Sequence, residues 1–296
     1  MNLLIITNPK SGLEKSKKIL DSIVIPKLKS KKINYKNLFT EYQFHAIELL
    51  KNEELNDFDF ILVLGGDGTM HEVINGMLNR IDNVNIPIGL LPTGSGNSLL
   101  HDRGNIDIIE CLNLILQYNV SNIDILKINT PKEIFYSINL MGWGMVNDIA
   151  ILAEKMRWMG PIRYNVASII EIFRYAPRYA KIEIDNEIYN DKYAFIIACN
   201  TIHIGKGMRM APHAKLDDGK MDLIIIKNNF HKIKLLKMFP TLFSGNHINS
   251  PLVEYRQVKS LKLTPDTNTI LNIDGEIIGE TPIKIEVIPR AIKLLN

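Results

Sequence analysis

Short apolar runs alternate with stretches of helical spacing over the first part of the chain. The runs with the length of buried strands are residues 3–6, 33–39, 58–64 and 86–91. The stretches with helical spacing are residues 13–32, 42–52, 69–79 and 106–118. Pro26 interrupts the first of these helices. Strands that alternate with helices predict a parallel, doubly wound sheet, whose ligands bind beyond the carboxyl ends of the strands.

The pattern changes near residue 121, after which strands follow one another. The predicted strands are residues 123–128, 135–141, 179–184, 193–200, 221–227, 253–263, 269–273 and 283–288. Helical spacing interrupts them at residues 145–157, 164–175 and 231–243. Several strands alternate apolar and polar positions, which predicts an antiparallel β-sandwich.

We therefore expect an α/β + β protein with two domains, since 296 residues exceed the usual size of one domain. The first, residues 1–125, is the doubly wound α/β domain. The second, residues 126–296, is the sandwich, and its last residues are expected to pack back on the first domain. The composition shows no flexible linker between them.

Charge and cysteine content narrow the class of protein. A net charge of +3 is compatible with phosphates or an anionic membrane surface, and it is too small to indicate nucleic acid. Cys111 and Cys199 lie in apolar surroundings without paired spacing, which is typical of a reduced, cytoplasmic chain. The apolar run at the amino terminus is too short for a signal peptide, and no stretch is long enough to span a bilayer. Work at a membrane would therefore take place at its surface.

Two glycine-rich segments follow predicted strands. In GGDGT, Gly65, Gly66 and Gly68 remove Cβ atoms where a charged ligand would approach the backbone, and the next helix points its free N–H groups at the loop. Asp67 stands in the middle as a candidate acid/base group. A tight turn with an exposed aspartate is the alternative.

The second glycine-rich segment, LPTGSGN at residues 91–97, repeats this arrangement of small residues whose N–H groups and hydroxyls can meet phosphate oxygens. A plain loop is the alternative interpretation. The chain lacks the GxxxxGK[ST] motif, a completed GxGxxG motif and histidines at zinc-site spacing.

Six motifs in order carry a family resemblance. They are NPKSG, GGDGTMHEVINGML, LPTGSGN, GWGMVNDIAILAEKMRWMGPIRY, KLDDGKMD and NIDGE. In order and spacing they resemble the diacylglycerol kinase catalytic family, which includes sphingoid-base and ceramide kinases, over essentially the whole chain. The resemblance implies a nucleotide-binding α/β domain, a β-sandwich domain, and ATP in the cleft between them.

The resemblance also implies a set of nucleotide-binding residues. They are Asn8, Thr40, Gly65, Gly66, Gly68, Thr69, Gly94, Ser95, Asn97 and Asp274. Arg157 and Arg163 match two arginines that contact phosphates in sphingosine-kinase-like members. The Gly160–Pro161 turn between them would let both converge on one anion, a ligand that suits arginine. Without the family match, two surface arginines would be the favoured interpretation.

Two carboxylates compete for the role of general base, Asp67 and Glu276, because the resemblance points to both. An ordinary ionised carboxylate suffices when the acceptor hydroxyl loses its proton late in phosphoryl transfer. We expect the two to work together, although Asp-Gly at residues 274–275 is also a strong signal for a plain hairpin.

Magnesium is expected at two places. The resemblance implies that Asp124 belongs to the magnesium and water network of the active site. It also implies a structural magnesium at KLDDGKMD, held by Asp218 and by the carbonyl groups of Lys215 and Lys220. Without the family, an Asp-Asp-Gly segment is more often only a turn.

The acceptor side is an apolar helical stripe after GWG. Met145, Val146, Ile149 and Leu152 would line a lipid pocket by resemblance, although such a stripe usually packs in a core. Asp148 keeps one acidic residue of the sphingosine kinase motif.

Two departures from the family's motifs leave the acceptor open among long-chain lipid alcohols. Ala150 replaces a second aspartate of the sphingosine kinase motif, which reads the sphingoid amino group. Ser98 replaces the aspartate of the GTxND motif of bacterial diacylglycerol kinases.

The resulting hypothesis is an ATP- and Mg²⁺-dependent lipid kinase acting on a diacylglycerol-type or sphingoid-type lipid. A kinase of a small soluble acceptor such as NAD, or a non-catalytic nucleotide-binding module, are the alternatives. We expect a cytoplasmic protein in peripheral contact with the membrane, without nucleic acid, and leave a homodimer open. The basic helix at residues 231–243 could rest on anionic lipid or pack on the sandwich.

Overall fold

The computed structural model describes residues 1–12, 15–94, 96–102, 104, 107–205, 207–228 and 232–296, and within these all side chains except those of Arg157 and Pro161. The chain forms two compact units. Unit 1 comprises Met1–Ile125 and Pro289–Asn296, and unit 2 comprises Leu126–Ile288. The carboxyl-terminal segment thus belongs to unit 1.

Unit 1 is built on a parallel sheet. Its strands are β1 (Asn2–Thr7), β2 (Asn34–Phe39), β3 (Phe60–Gly65), β4 (Ile88–Pro92) and the first part of β5 (Val120–Asn129). The sheet order is β2-β1-β3-β4, all parallel, and Leu294 of the terminal strand continues it beside Ile88. Every residue of β3 is buried, as expected for a strand covered on both faces.

Among the described residues of unit 1, six α-helices follow the strands. They are α1 (Lys15–Ile19), α2 (Ile25–Ser30), α3 (His45–Asn52), α4 (Asp67–Leu78), α5 (Ser98–Asp102) and α6 (Ile108–Ile115). A π-helical turn, Leu20–Val24, separates α1 from α2 immediately before Pro26. Proline has no N–H to donate within a helix, so the predicted interruption at Pro26 takes this form.

Unit 2 consists mainly of antiparallel strands. They are the rest of β5, β6 (Ile134–Ser137), β7 (Leu140–Gly144), β8 (Arg178–Ile184), β9 (Glu187–Cys199), β10 (His203–Ile204), β11 (Met208–Arg209), β12 (Met221–Lys227), β13 (Glu254–Val258), β14 (Ser260–Pro265), β15 (Ile270–Ile273), β16 (Glu276–Glu280) and β17 (Ile283–Leu295), the last of which ends in unit 1. The helices are α7 (Met145–Lys155), α8 (Arg163–Arg174) and α9 (Lys232–Met238), with 3₁₀ segments at Arg157–Ile162, Phe239–Leu242 and Asn246–Asn249.

Alternating residues of β9 enter two different cores. Ile196 packs with Trp143 in the core between strands, whereas Ile197 packs in a second core with Ile172 of α8 and Leu235 of α9. Because successive side chains of a strand point to opposite faces, the central strand β9 is buried on both faces. The predicted α/β + β class, with a β-sandwich in the second half, is confirmed.

Two strands predicted as continuous are each divided in the structure. Residues 135–141 form β6 and β7, and residues 253–263 form β13 and β14. Asp274 holds the first break, since its carboxylate accepts from Ser137 Oγ (2.6 Å) and from the N–H groups of residues 138–140 (2.8–3.1 Å). Asp185 holds the second break, accepting from the N–H groups of Lys259 and Ser260 (3.0 and 2.9 Å). Both aspartates have positive φ and open two-residue hairpin turns.

We predict that Asp274→Asn lowers the free energy of unfolding by about 1–3 kcal/mol, because the amide places a donor against buried N–H groups. Asparagine tolerates the positive φ, so the backbone conformation is kept. The matched control is Asp185→Asn, at the same hairpin position but exposed, for which the loss should be smaller. Urea unfolding of the two variants checks this, and equal losses would contradict the assignment of Asp274 to the buried turn.

Candidate functional site

The segment between β3 and α4 is shorter than the predicted loop. β3 ends at Gly65, Gly66 is extended, and α4 already begins at Asp67. A Cβ on Gly94 would lie 2.3 Å from the Cα of Gly66, and a Cβ on Gly65 would lie 2.4 Å from the Cβ of Thr69. These glycines therefore let the two glycine-rich segments touch backbone to backbone, a requirement separate from any phosphate contact.

Ser98 holds both oxygens of the Asp67 carboxylate. Oδ1 accepts from the Ser98 N–H (2.8 Å) and Oδ2 from the Ser98 hydroxyl (3.0 Å). Ser98 is buried, and Asp67 lies in the first turn of α4, where the helix dipole favours a negative charge. Ser98 therefore fixes the orientation of the Asp67 carboxylate through both of its oxygens.

Three predicted nucleotide-binding residues gather where β1, β3 and β4 end. Asn8 Nδ2 donates to Thr69 Oγ1 (3.1 Å), which joins the segment after β1 to the first turn of α4. Asn97 has a φ of 55°, and its Nδ2 donates to the carbonyl oxygen of Gly94 (3.0 Å). The edge of the sheet expected to bind ligand therefore carries the predicted residues.

The other predicted nucleotide-binding residues of unit 1 are placed as follows. Gly68 lies within the first turn of α4. Thr40 follows β2, is buried, and donates its N–H to the carbonyl oxygen of Thr7 (2.9 Å). Ser95 lies outside the described residues.

Asp124 lies in β5 and is fully buried. Its Oδ1 accepts from the N–H of Arg290 (2.8 Å), which lies within the terminal strand β17 and has a φ of 54°. Both residues belong to unit 1, so this carboxylate ties the returning end of the chain to the unit. Its role toward magnesium stays a prediction.

The NIDGE segment is the hairpin that the Asp-Gly pair predicted. Asp274 and Gly275 have φ values of 53° and 95°, and Glu276 opens β16 opposite Ile273. The Asp274 carboxylate is directed into the turn between β6 and β7, so its assignment to the nucleotide stays a prediction. Glu276, partly exposed, belongs to unit 2, whereas Asp67 belongs to unit 1.

Helix α7 carries the predicted acceptor residues. Met145 is buried in the core that α8 and α9 cover, and Val146 and Ile149 pack partly buried against the same core. This is the packing that an apolar stripe usually indicates, and a lipid pocket stays a prediction. Asp148, by contrast, accepts from Arg178 Nη2 at both of its oxygens (2.8 and 2.9 Å).

Arg163, the first residue of α8, forms an ion pair with Glu154 of α7 (3.2 Å) and lies over the ring of Tyr164. Gly160, with a φ of 59°, interrupts the 3₁₀ segment before it, as the Gly-Pro pair indicated. The side chain of Arg157 lies outside the described residues. Convergence of the two arginines on one anion therefore stays a prediction.

The segment from Lys215 to Lys220 is a turn in which Asp218 Oδ1 accepts from the Lys220 N–H (3.0 Å) and Gly219 has positive φ. Next to it, burial raises the pKa of Asp222, which accepts from the hydroxyl of Tyr255. Within the described parts of the chain, no three acidic, histidine or cysteine side chains form a metal-binding group. One carboxylate with backbone carbonyl groups is an incomplete donor set for Mg²⁺, so the structural site stays a prediction.

Comparison with known families agrees with the motifs. The diacylglycerol kinase catalytic domain matches residues 2–128, and the YegS C-terminal NAD kinase beta sandwich-like domain matches residues 140–296. The chain belongs to the diacylglycerol kinase catalytic family. The predicted resemblance is confirmed, and the family is one of lipid kinases.

Some similar proteins are named sphingosine kinase and others diacylglycerol kinase. Sphingosine kinase 1 of Arabidopsis thaliana is 28% identical over 94% of this chain and 68% of its own length. Diacylglycerol kinase of Staphylococcus haemolyticus is 29% identical over 98% of this chain and 86% of its own length. A crystal structure of a diacylglycerol kinase from Bacillus anthracis str. Sterne, 24% identical, covers 99% of this chain and 96% of that chain with a TM-score of 0.77. The last likeness supports the fold, and the names of the relatives leave the acceptor undecided.

The sequence motifs of this lipid kinase family do not predict two residues that form hydrogen bonds with predicted site residues in the structure. The motifs mark Ser98 only as a replacement of aspartate, and they do not include Arg178. The signal for Ser98 was a small hydroxyl residue at a helix start, where such residues donate and accept locally. No local signal joined Arg178 to Asp148, because they are 30 positions apart.

Proposed function

We propose that the protein is an ATP- and Mg²⁺-dependent lipid kinase that transfers the γ-phosphoryl group of ATP to a hydroxyl of a diacylglycerol-type or sphingoid-type lipid. The observation that carries this proposal is the Asp67 carboxylate. Ser98 fixes it at the start of α4, beside two glycine-rich segments in backbone contact. Family membership supports phosphoryl transfer as the reaction class.

The residues of unit 1 fit a nucleotide with its metal ion. Gly66 has no side chain to cap α4, and the amino-terminal end of this twelve-residue helix favours an anion such as a phosphate group. Asn8, Thr69 and Asn97 supply polar groups at the same sheet edge. Asp124 is the carboxylate that would hold magnesium, which supplies charge neutralisation at the phosphates when bound.

The proton of the acceptor hydroxyl needs a carboxylate oxygen to receive it. Asp67 is oriented by hydrogen bonds from the N–H and the hydroxyl of Ser98, one to each of its oxygens. Glu276 is placed at the start of β16 by the hairpin turn. We propose Asp67 as the group that accepts the proton and keep Glu276 as the second candidate for this role.

An exposed apolar surface on unit 2 supports a lipid substrate. We define the α8 surface as Trp158, Ile162, Ile169, Phe173 and Ile233. The Nζ of Lys232 donates to the Phe173 carbonyl oxygen (2.6 Å) and so joins the start of α9 to the end of α8.

Basic residues accompany this surface, since Arg174 of α8 and Lys234 and Lys237 of α9 are exposed, as is Lys155 at the end of α7. Among the residues of the α8 surface, Trp158 is the most exposed, at 82%. Large exposed apolar side chains with basic neighbours suit contact with an anionic bilayer. None of the helices described here is long and apolar enough to cross a membrane.

The position of this surface refines the sequence prediction. Helix α9 buries Leu235 and Met238 in the core, so the basic helix packs on the sandwich as the alternative stated. Its Ile233, Lys234 and Lys237 nevertheless remain exposed beside α8. We propose that the α8 surface, with the exposed side of α9, makes the peripheral membrane contact.

We predict that the purified protein transfers labelled phosphate from ATP, in the presence of magnesium, to at least one of diacylglycerol, ceramide and sphingosine in mixed micelles. NAD is included as a soluble acceptor, because one matched domain is described as similar to the NAD kinase sandwich. Labelling of NAD alone would establish the alternative acceptor. Nucleotide binding without labelling of any acceptor would favour the non-catalytic module.

We predict that Asp67→Asn leaves ATP affinity within about threefold and lowers turnover by at least about 100-fold. The amide keeps the size of the side chain but cannot receive the proton. Calorimetric ATP titration and a lipid kinase assay measure the two effects. Asp21→Asn, at an exposed position of unit 1, is the matched control. Unchanged turnover in Asp67→Asn would exclude Asp67 as the base.

We predict that Ile162→Ser weakens binding to phosphatidylglycerol vesicles by at least about tenfold, because an isoleucine inserted in a bilayer contributes about 1.5–3 kcal/mol. Ile188 of β9 is the matched control, since both isoleucines are 56% exposed but Ile188 lies outside the α8 surface. Vesicle co-sedimentation compares Ile162→Ser with Ile188→Ser. Equal binding by both variants would rule out the α8 surface as the contact.

A further inference from the structure

One helical stretch of unit 1 concentrates the positive charge of the chain. Helix α1, the π-helical turn and α2 run without a break from Lys15 to Ser30, and Lys31 and Lys32 follow in a turn. This stretch, residues 15–32, holds seven lysines and one acidic residue, Asp21. Its net charge is therefore +6, whereas that of the whole chain is +3, so the remaining residues together carry −3.

Packing fixes the inner side of this stretch. Ser16, Leu20, Val24 and Leu28, each four positions from the next, are buried, and the three apolar ones pack in the core with β1 and β3. Positions four apart drift around a straight α-helix of 3.6 residues per turn, and the wider π-helical turn opposes this drift. The same side therefore faces the sheet along the stretch, and the lysines stand on its other sides.

We define the lysine surface as Lys15, Lys17, Lys18, Lys27, Lys29, Lys31 and Lys32. All are exposed except Lys27, which is partly buried. Among the residues that the structure describes, none of the seven forms an ion pair, in contrast with Lys36, which pairs with Glu53 (2.7 Å). No large apolar side chain of residues 15–32 is exposed. The surface thus presents unpaired positive charge without an apolar anchor.

The composition of the lysine surface indicates the kind of partner. Protein–protein interfaces are enriched in aromatic residues and arginine and depleted in lysine, and residues 15–32 contain neither arginine nor an aromatic residue. Clusters of lysines suit the negative head groups of a bilayer, to which they are attracted without insertion. The proposed substrate is itself a membrane lipid, so a bilayer is the anionic surface that the protein has to approach.

We propose that the lysine surface binds anionic bilayers electrostatically, as a contact separate from the α8 surface of unit 2. This inference rests on the proposed lipid kinase function for its choice of a bilayer as the partner. The α8 surface offers large apolar side chains for insertion, whereas the lysine surface acts through charge alone. Its attraction reaches beyond contact distance at low salt, so it draws the protein toward membranes rich in anionic lipid.

The test measures binding to vesicles of equal parts phosphatidylglycerol and phosphatidylcholine by co-sedimentation. In Lys18→Gln/Lys29→Gln/Lys31→Gln, three exposed charges of the lysine surface are removed. At low salt we expect this variant to bind at least about tenfold more weakly than wild type. At 1 M salt the difference should disappear, because the screening length falls to about 3 Å. A difference caused by altered folding would persist at high salt, and thermal melting checks it directly.

The matched control is Lys181→Gln/Lys192→Gln/Lys262→Gln, which removes the same charge from exposed positions of β8, β9 and β14 in unit 2. It should lower vesicle binding less than about threefold at low salt, since net charge acts only at long range. Equal binding by the two triple variants would overturn the lysine surface as the contact. Polyglutamate and a duplex oligonucleotide are the other probes, and tighter binding of wild type to either, at equal concentration of negative charge, would overturn the bilayer as the partner.

An assay without an anionic surface separates this inference from the proposed function. Phosphoryl transfer to lipid in uncharged detergent micelles should be the same in wild type and in the variant of the lysine surface. Unchanged transfer together with equal vesicle binding by both triple variants would leave the lipid kinase proposal standing and remove the lysine surface. Weaker, salt-dependent vesicle binding without transfer to any lipid would support the lysine surface, and the kinase proposal would fail.

Discussion

Asp67 reaches Ser98 only because the backbones that follow β3 and β4 lie in contact. A side chain at Gly66 or Gly94 would push the two segments apart, since each Cβ would fall within 3 Å of the opposite Cα. The separation of the segments in turn sets the two hydrogen bonds that orient the carboxylate. The same glycines that would admit a phosphate thus serve first to position an acidic side chain.

Unit 2 depends on a different constraint, the burial of β9 on both faces. Its alternating side chains are shared between the sandwich core and the core under α8 and α9. The helices that carry the α8 surface and the acceptor residues are therefore anchored to the same strand. Their exposed sides remain apolar around Trp158 and Phe173, which is unusual for a face without a partner.

Local sequence patterns predicted those strands and turns whose bounds depend on residues close together in the chain. The mainly apolar run at residues 221–227 predicted the bounds of β12, and the Asp-Gly pair predicted the hairpin between β15 and β16. The breaks within residues 135–141 and 253–263 were missed, because the aspartates that hold them are far away in sequence. When a carboxylate far away in sequence holds such a break, the apolar and polar positions within the strand itself do not indicate it.

The candidate site shows the same difference between features set by local sequence and contacts between residues far apart in the chain. Motifs located Asp67, Asn8, Thr69 and Asn97, and the structure brings these together in unit 1. The pairing of Asp148 with Arg178 could not be found from spacing, since it requires β8 to lie beside the start of α7. Similarly, the exposed apolar residues of the α8 surface lie mainly at α8 and the segment before it, whereas the amphipathic spacing indicated residues 231–243.

The path of β17 affects the order in which the protein can be made. Asn85 Nδ2 donates to the Ala291 carbonyl oxygen, and Asp124 accepts from Arg290, so unit 1 uses residues from both ends of the chain. A ribosome releases these last residues only after all of unit 2 has been synthesised. The parallel sheet of unit 1 therefore stays incomplete during most of translation, and a fragment that stops at residue 125 would lack its closing strand.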